Sequence, residues 1–246
     1  LKNAWTHQTA RYHGIRQYEE RDQHQPLLRF GRALVHMAVD TDEVFMTTHL
    51  QGKKTFFLPF NRGNNGGAGN PVNPNGHKTA YLWETIFAKE SVSDLIQHFI
   101  FLENSKKENE PLHHKKLLFP RYQQLDVVRS LLADVQARGL GHTYLVQHSA
   151  GSGKSNSITW LAFQLIDLYS NRDAQTVMEI PKPIVDTVIV VTDRRILDRQ
   201  LRDNIKNFSQ VGNIIEHAES SQDLRRALEN KRRMVITTIQ KCPFII

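Results

Sequence analysis

The stretch "YLVQHSAGSGKSNSITW", Tyr144 to Trp160, is the starting point for reading this chain. Its first residues, Tyr144 to Gln147, predict a short buried strand, and a turn rich in glycine and serine follows. Phosphate-binding loops follow a strand, precede a helix and carry the pattern G-x-x-x-x-G-K-[ST]. The sequence meets this pattern at Gly153 to Ser155 but has His148 where the first glycine is expected. Whether this loop binds phosphate must therefore be judged from the segments on either side of it.

A helix is predicted to begin directly after the loop, over Lys154 to Tyr169. Its apolar residues recur at helical spacing, at Ile158, Leu161, Ala162, Leu165 and Ile166. Glycines allow backbone N–H groups to turn towards phosphate oxygens, and a helix N-terminus adds the positive end of its dipole. Strand, loop and helix thus occur in the order that a phosphate site needs. The alternative is a Gly-Ser turn that happens to end in Lys-Ser.

The loop predicts a nucleotide site with ATP and Mg²⁺. The expected contacts are Gly151, Ser152, Gly153, Lys154 and Ser155. Lys154 would reach the β- and γ-phosphates, and Ser155 would hold Mg²⁺. A histidine at the first position of the pattern is tolerable if its side chain points away from the phosphates.

The second part of the chain, residues 111–246, alternates helices with strands. Helices are predicted over Tyr122–Gln136, Arg195–Phe208 and Gln222–Asn230, and strands buried on both faces over Thr187–Thr192 and Met234–Ile239. This alternation predicts an α/β fold with a parallel sheet and right-handed crossovers. An acidic residue for Mg²⁺ is expected at the end of such a strand. Asp193 is the candidate, but we favour an acidic motif beyond Ile246, because arginines and not a second carboxylate follow Asp193.

The first part, residues 1–110, predicts an antiparallel meander. Ala33–Leu50 and Lys54–Phe60 are rich in β-branched and aromatic residues. The Gly-, Asn- and Pro-rich stretch Asn61–Gly76 is a loop, either a flexible element near substrate or, with more weight, a solvated connector. A helix follows over Val92–Leu102. The charged segment Glu103–Lys116 then marks the domain boundary.

Composition limits the class of protein. The net charge of +7 favours a polyanionic partner such as nucleic acid. A single cysteine, Cys242, excludes an internal disulfide. No apolar run approaches the roughly 20 residues that span a bilayer, so we expect a soluble, cytoplasmic chain without a membrane partner. The start at Leu1 and the end at Ile246 suggest part of a longer polypeptide.

Four blocks of the second part resemble consecutive helicase motifs of the restriction subunit of type I restriction-modification enzymes. They are "FPRYQQLDVVRSL" (119–131), "LVQHSAGSGKSNSITWLAFQL" (145–165), "VIVVTDRRILDRQL" (188–201) and "VITTIQKCPF" (235–244). A histidine before Ser-Ala-Gly-Ser-Gly-Lys-Ser is typical of that family. Upstream, "VHMAVDTDEVFMTT", "TFFLPFN" and "YLWE" extend the resemblance over nearly the whole chain.

This resemblance implies a superfamily 2 DNA translocase with a RecA-like lobe, behind an endonuclease domain of the PD-(D/E)xK type. Arg121 and Gln124 match the adenine-sensing Q-motif. The positions that match DNA-side motifs are Thr192, Arg194, Arg195, Thr237, Thr238 and Gln240. The resemblance also implies duplex DNA, a methyltransferase subunit and a specificity subunit as partners. Without the acidic motif and the second motor lobe, this piece alone should bind ATP weakly and hydrolyse it poorly.

The resemblance also assigns a nuclease role to the N-terminus. In relatives, "LKN" commonly follows the glutamate of a Glu-x-Lys motif, so Lys2 would be the nuclease lysine and its partner acids would precede Leu1; the alternative is a surface lysine. The family has a Gln-x-x-x-Tyr element on the helix behind this site. Gln8 and Tyr12 have that spacing, but the family's position points to Tyr18, with Gly14 in place of the glutamine.

Two further groups of side chains have open roles. Arg195, Arg199 and Arg202 share a helical face that either tracks DNA phosphates or pairs with nearby aspartates. The histidines, including His113 and His114, lack a metal-ligand spacing and are expected at the surface. The alternatives to a restriction subunit are a nucleotide-binding module that never touches DNA and a helicase without nuclease activity.

Overall fold

The structure is a computed structural model that describes residues 2, 4–103, 111–170, 182–193, 201, 205 and 215–244. The chain divides into two compact units, Leu1–Leu125 and Asp126–Ile246. A helix, Tyr122–Arg138, contains the point of division. The domain boundary predicted at residue 110 falls outside the described residues.

An antiparallel sheet of three strands organises the first unit, as the meander prediction requires. The strands are β1 (His36–Val39), β2 (Val44–Thr47) and β3 (Leu58–Pro59), in the order β1-β2-β3. The buried Asp40 shapes the β1–β2 turn, since its carboxylate accepts the N–H groups of Asp42 and Glu43 at 2.7 and 2.8 Å. The same carboxylate accepts the N–H of Ala10 at 2.6 Å. The Asp40 side chain thus fixes both the β1–β2 turn and the start of the helical segment Ala10–Gly14.

Short helical segments surround this sheet. They are Ala4–Thr6, Ala10–Gly14, α1 (Ile15–Glu20), Leu82–Ile86, α2 (Lys89–Asp94), Leu95–Phe99 and Leu112–His114. A second antiparallel pair joins β4 (Phe101–Leu102) to β5 (Leu117–Leu118). The helix predicted over Val92–Leu102 therefore begins earlier, at Lys89, and ends at Phe99.

Aromatic side chains form much of the first unit's interior. Phe60 and Phe99 are fully buried, and the Phe60 ring lies 6.0 Å from that of Phe119 and 5.8 Å from that of Tyr122. The ring of Tyr81 meets Tyr122 edge-on at 5.3 Å. Contacts of this kind are favourable beyond the area they bury. The first turn of the helix Tyr122–Arg138 is thereby fixed in the first unit.

The loop Asn61–Gly76 contains no helix or strand beyond one isolated bridge, as predicted. It is nevertheless anchored, because the buried Asn70 accepts the N–H of Arg62 at 2.8 Å and donates to the carbonyl of Asp42 at 2.8 Å. This half of the loop is a fixed connection.

A parallel sheet organises the second unit. Its strands are β6 (Val188–Thr192), β7 (Ile215–His217) and β8 (Met234–Thr238), in the order β6-β8-β7. The α-helices whose bounds are described are α3 (Tyr122–Arg138, from Asp126 onward), α4 (Lys154–Ile166) and α5 (Ser221–Glu229), and a 3-10 helix, Ile239–Phe244, follows β8. The prediction of parallel strands alternating with helices is confirmed.

Two apolar clusters cover opposite faces of this sheet. In one, Ala162 and Ile166 of α4 pack against Val190 and Ile236. In the other, Leu224 of α5 packs against Val235. Side chains of adjacent strand residues point to opposite faces, so Val235 and Ile236 serve different clusters. All five residues of β8 are buried.

The strand predicted over Tyr144–Gln147 is wrong. Residues 141–149 have no regular structure, and Leu145 is 92 % exposed. A strand is stabilised by hydrogen bonds to a neighbour, and no strand in the described part of the chain pairs with this segment. The Tyr144 hydroxyl instead donates to the carboxylate of Asp134 on α3.

Burial of β6 on both faces is also wrong. Val190 is buried, but Ile189 and Val191 are 46 % and 47 % exposed. In the described sheet β6 lies at an edge, and α5 packs over the other two strands. Of the helix predicted over Arg195–Phe208, only Leu201 and Ile205 are described. Both are buried in the apolar cluster that α4 forms with the sheet.

Candidate functional site

Two glycines give the loop before α4 its shape. Gly151 and Gly153 have φ of 72° and 82°, the left-handed region that residues with a Cβ avoid. The N–H of Ser152 donates to the carbonyl of Ser149 at 3.3 Å, which closes a tight turn. Gly153 then precedes the first residue of α4, Lys154. A residue with a Cβ would therefore be strained at either position.

The ammonium group of Lys154 lies over this turn. It donates to the carbonyl oxygens of His148 at 3.0 Å and Ser149 at 2.8 Å, and the side chain is exposed. A cation at the start of a helix, beside a glycine turn, suits a phosphate chain. A triphosphate would draw the ammonium group from these neutral carbonyls to its own charged oxygens, because charge-assisted hydrogen bonds are stronger.

The His148 side chain lines a cavity of about 140 Å³ beneath the loop. Apolar side chains of α3 and α4, among them Val128 and Ile158, form much of its wall. Within the described residues, the ring Nδ1 of His148 and the hydroxyl of Ser157 are buried there without a hydrogen-bond partner. The histidine thus has room where the usual pattern has glycine.

Ser155 lies in the first turn of α4 and is half-buried. The chain therefore presents two left-handed glycines, a lysine at a helix start and a hydroxyl one residue later, and this set fits a triphosphate. ATP brings Mg²⁺ with it, and Ser155 is the residue that would hold the ion. Among the described residues, no group of three His, Cys, Asp or Glu side chains is placed to hold a metal by itself.

Several predicted DNA-side residues lie at the carboxyl edge of the parallel sheet, where open α/β sheets bind their ligands. Thr192 and Thr238 end adjacent strands and are paired in register. The amide of Gln240 donates to the carbonyl of Asp193 at 2.9 Å and is exposed. Thr237 and Thr238 are both buried in this structure. Arg194, Arg195, Arg199 and Arg202 lie outside the described residues.

The loop and the three strands all fall within one recognised region of the sequence. Residues 123–244 match the family model of the SWI2/SNF2 ATPase. This match supports a superfamily 2 helicase-like ATPase, and the parallel sheet is compatible with a RecA-like fold. No curated protein and no solved structure matched the chain. Residues 126–246 are referred to below as the helicase-like unit.

The two residues predicted to sense adenine lie in the first unit, at the start of α3. Gln124 is buried, and its side-chain oxygen accepts the backbone N–H of Arg121 at 2.8 Å. This hydrogen bond caps the first turn of α3. Contact of either side chain with adenine stays a prediction.

The first unit has a separate polar cavity of about 160 Å³, referred to below as the Lys2 cavity. It is lined by Lys2, Gly14, Gln17, Tyr18, Arg21, Met37, Ala38 and Val39. The N–H of Lys2 donates to the carbonyl of Val39 at 2.8 Å, which fixes Lys2 beside β1. The Tyr18 hydroxyl donates to the carbonyl of Met37 at 3.3 Å.

The structure supports one residue from each of the two alternatives for the Gln-x-x-x-Tyr element. Tyr18 lines the cavity, whereas Tyr12 is 71 % exposed and does not. The amide oxygen of Gln8, in contrast, accepts a hydrogen bond from the Lys2 ammonium group at 3.2 Å. A Cβ on Gly14 would lie 3.0 Å from the Cβ of Ala38, so a glutamine there would require Ala38 to give way slightly. Gln8 and Tyr18 are the pair that the structure brings to Lys2.

Burial raises the pKa of Tyr18, and the nearby positive charge of Arg21 opposes this shift. The phenol therefore stays protonated at neutral pH. Sequence reasoning did not single out Gln17 or Arg21. The helical spacing of Gly14, Gln17, Tyr18 and Arg21 was the available signal, since residues three and four apart lie on one helix face.

Among the described helices, none combines the length and apolar content that crossing a membrane requires.

Proposed function

We propose that this chain is the nuclease-to-motor segment of the restriction subunit of a type I restriction-modification enzyme. In this proposal, the helicase-like unit hydrolyses ATP to translocate duplex DNA, and the first unit belongs to the endonuclease. Methyltransferase and specificity subunits would be the protein partners, in the cytoplasm.

The main support for the motor function is the loop at residues 148–155, which lies inside the region that matches the ATPase family model. A glycine turn and a lysine at the start of α4 fit a triphosphate, and both lie in the region that matches the ATPase family model. The net charge of +7 agrees with a DNA partner. The resemblance of the four motif blocks supports the finer assignment to restriction subunits.

ATP turnover by the full-length protein tests the motor. We expect duplex DNA to stimulate turnover, and longer duplexes to stimulate it more, because a translocating motor hydrolyses ATP along its whole track. Lys154→Ala should remove the stimulated turnover. Turnover that ignores DNA in the unaltered protein would favour a nucleotide-binding module instead.

Cleavage of supercoiled DNA tests the nuclease half. We expect Lys2→Ala to abolish cleavage but retain DNA-stimulated ATP turnover, since Lys2 and the loop belong to different units. Lys54→Ala, which removes an exposed lysine from the same unit, is the control and should cleave normally. A motor that is stimulated by DNA and never cleaves it would favour a helicase without nuclease activity.

A further inference from the structure

We infer that the Lys2 cavity is an anion pocket that holds a single phosphate group of a nucleic-acid strand, with Arg21 as its second cation. This inference rests on the proposed nuclease function of the first unit and deepens it. It assigns Arg21, together with the amide of Gln17, a role in positioning the strand.

The size of the cavity limits what it can bind. Pockets for drug-sized ligands have volumes of about 300–1,000 Å³. At about 160 Å³, the Lys2 cavity is too small for a whole nucleotide. It has room for a phosphate group together with water. The rest of the strand would stay outside, along the exposed face of the helical segment Ala10–Glu20.

The charge of the lining specifies an anion. Lys2 and Arg21 contribute two positive charges, the Gln17 amide can donate, and none of the described residues that line the cavity is acidic. Two of the carboxylates that adjoin the lining residues in sequence have partners elsewhere. Glu20 pairs with Arg16 at 2.6 Å, and Asp40 accepts backbone N–H groups around the β1–β2 turn. These two carboxylates therefore do not neutralise the cavity.

The two cations differ in what they can do. Lys2 is held in place, because its backbone pairs with Val39 and its ammonium group bonds to Gln8. A lysine acts as a point charge, whereas the planar guanidinium of an arginine can grip two phosphate oxygens at once. Arg21 would therefore orient the phosphate, and Lys2 would add charge at a fixed point beside it.

Phosphate titration of the full-length protein, followed by the backbone amide NMR signals of Gly14 and Ala38, tests the inference. Both residues line the cavity. The signals of Gly151 and Gly153 report separately on any phosphate that binds to the loop at residues 148–155. We expect inorganic phosphate to shift the Gly14 and Ala38 signals. Arg21→Ala should weaken this binding about ten- to a hundredfold, the range for losing one charge-assisted hydrogen bond.

Lys54→Ala is the control. Lys54 is an exposed cation of the same unit and does not line the cavity. It should leave phosphate binding unchanged, and Arg21→Lys should bind between Arg21→Ala and the unaltered protein. Equal weakening by Lys54→Ala and Arg21→Ala would show only a general effect of net charge. That result, or unaltered binding by Arg21→Ala, would overturn the inference.

DNA cleavage separates this inference from the proposed function. If the protein cleaves DNA, Arg21→Ala should raise the KM for DNA more than it lowers kcat, because Arg21 positions the strand. Phosphate-dependent shifts in a protein that never cleaves DNA would refute the nuclease and leave the pocket standing. Cleavage without any phosphate-dependent shift at Gly14 and Ala38 would refute the pocket and leave the nuclease standing.

Discussion

The loop at residues 148–155 takes its polar groups from one continuous run of sequence, whereas the Lys2 cavity combines residue 2, α1 and β1. The loop needs a tight turn and the start of a helix. The cavity needs two elements, far apart in sequence, to be packed together. The loop should therefore survive damage to the first unit, and the cavity should not.

Removing a fully buried side chain of the first unit's aromatic cluster is the strongest way to test this difference. Phe60 is fully buried and contacts the rings of Phe119 and Tyr122. We expect Phe60→Ala to lower the unfolding free energy of this unit by about 3–5 kcal/mol. Thermal unfolding measures the loss, and binding of inorganic triphosphate by the loop, which needs no adenine contact, should persist.

The control for that change is Phe56→Ala. Phe56 is 75 % exposed, so its removal should alter the unfolding free energy by less than about 0.5 kcal/mol. If Phe60→Ala also abolished binding of inorganic triphosphate, the two sites would share one folding unit, and the comparison would fail.

Lys154→Ala should produce the next largest effect, on the loop alone. Lys154 is the only lysine in the sequence Gly151–Ser155. Loss of its positive charge should lower ATP turnover about 10²–10³-fold. Circular dichroism should show an unchanged fold, because the side chain is exposed. Arg225→Ala on α5 removes a surface charge from the same unit and should turn over ATP normally. Retained turnover by Lys154→Ala would refute its assigned role.

A smaller effect is expected at the start of α5, in the helicase-like unit. The Ser220 hydroxyl accepts the N–H of Asp223 at 3.1 Å, and the Asp223 carboxylate accepts the N–H of Ser220 at 2.9 Å. Ser220→Ala should cost about 1 kcal/mol in the unfolding free energy of this unit. Ser221→Ala, one residue further, keeps both hydrogen bonds and should cost less. Equal costs would mean that this cap contributes nothing specific.

The smallest effect concerns pH and the first unit. Burial lowers the pKa of His36 below its ordinary value of 6.5, and the charge of His49 acts in the same direction. Since the folded pKa is the lower one, the unfolded chain binds the proton first, and stability falls as pH drops below about 6.5. His36→Phe should flatten this part of the stability curve, measured by urea unfolding between pH 7 and 5. An unchanged curve would exclude His36 as its source.

The same difference explains what the sequence could predict. The strands Val188–Thr192 and Met234–Thr238 and the helix after the loop were predicted because local apolar spacing is enough to recognise them. Tyr144–Gln147 has the composition of a strand, but pairing is decided by neighbours that a local pattern does not contain. The pairing of Gln8 and Tyr18 with Lys2, and the presence of Arg21, depend on how α1 packs on β1, which no spacing rule gives.

The most direct test of the account is a titration of the protein with a non-hydrolysable ATP analogue and Mg²⁺, followed by the backbone amide signals of the loop. We predict saturable shifts of the Gly151, Gly153 and Lys154 signals, and much weaker binding in Lys154→Ala. A folded protein whose loop signals stay unmoved at saturating analogue would contradict the assignment of a helicase-like ATPase.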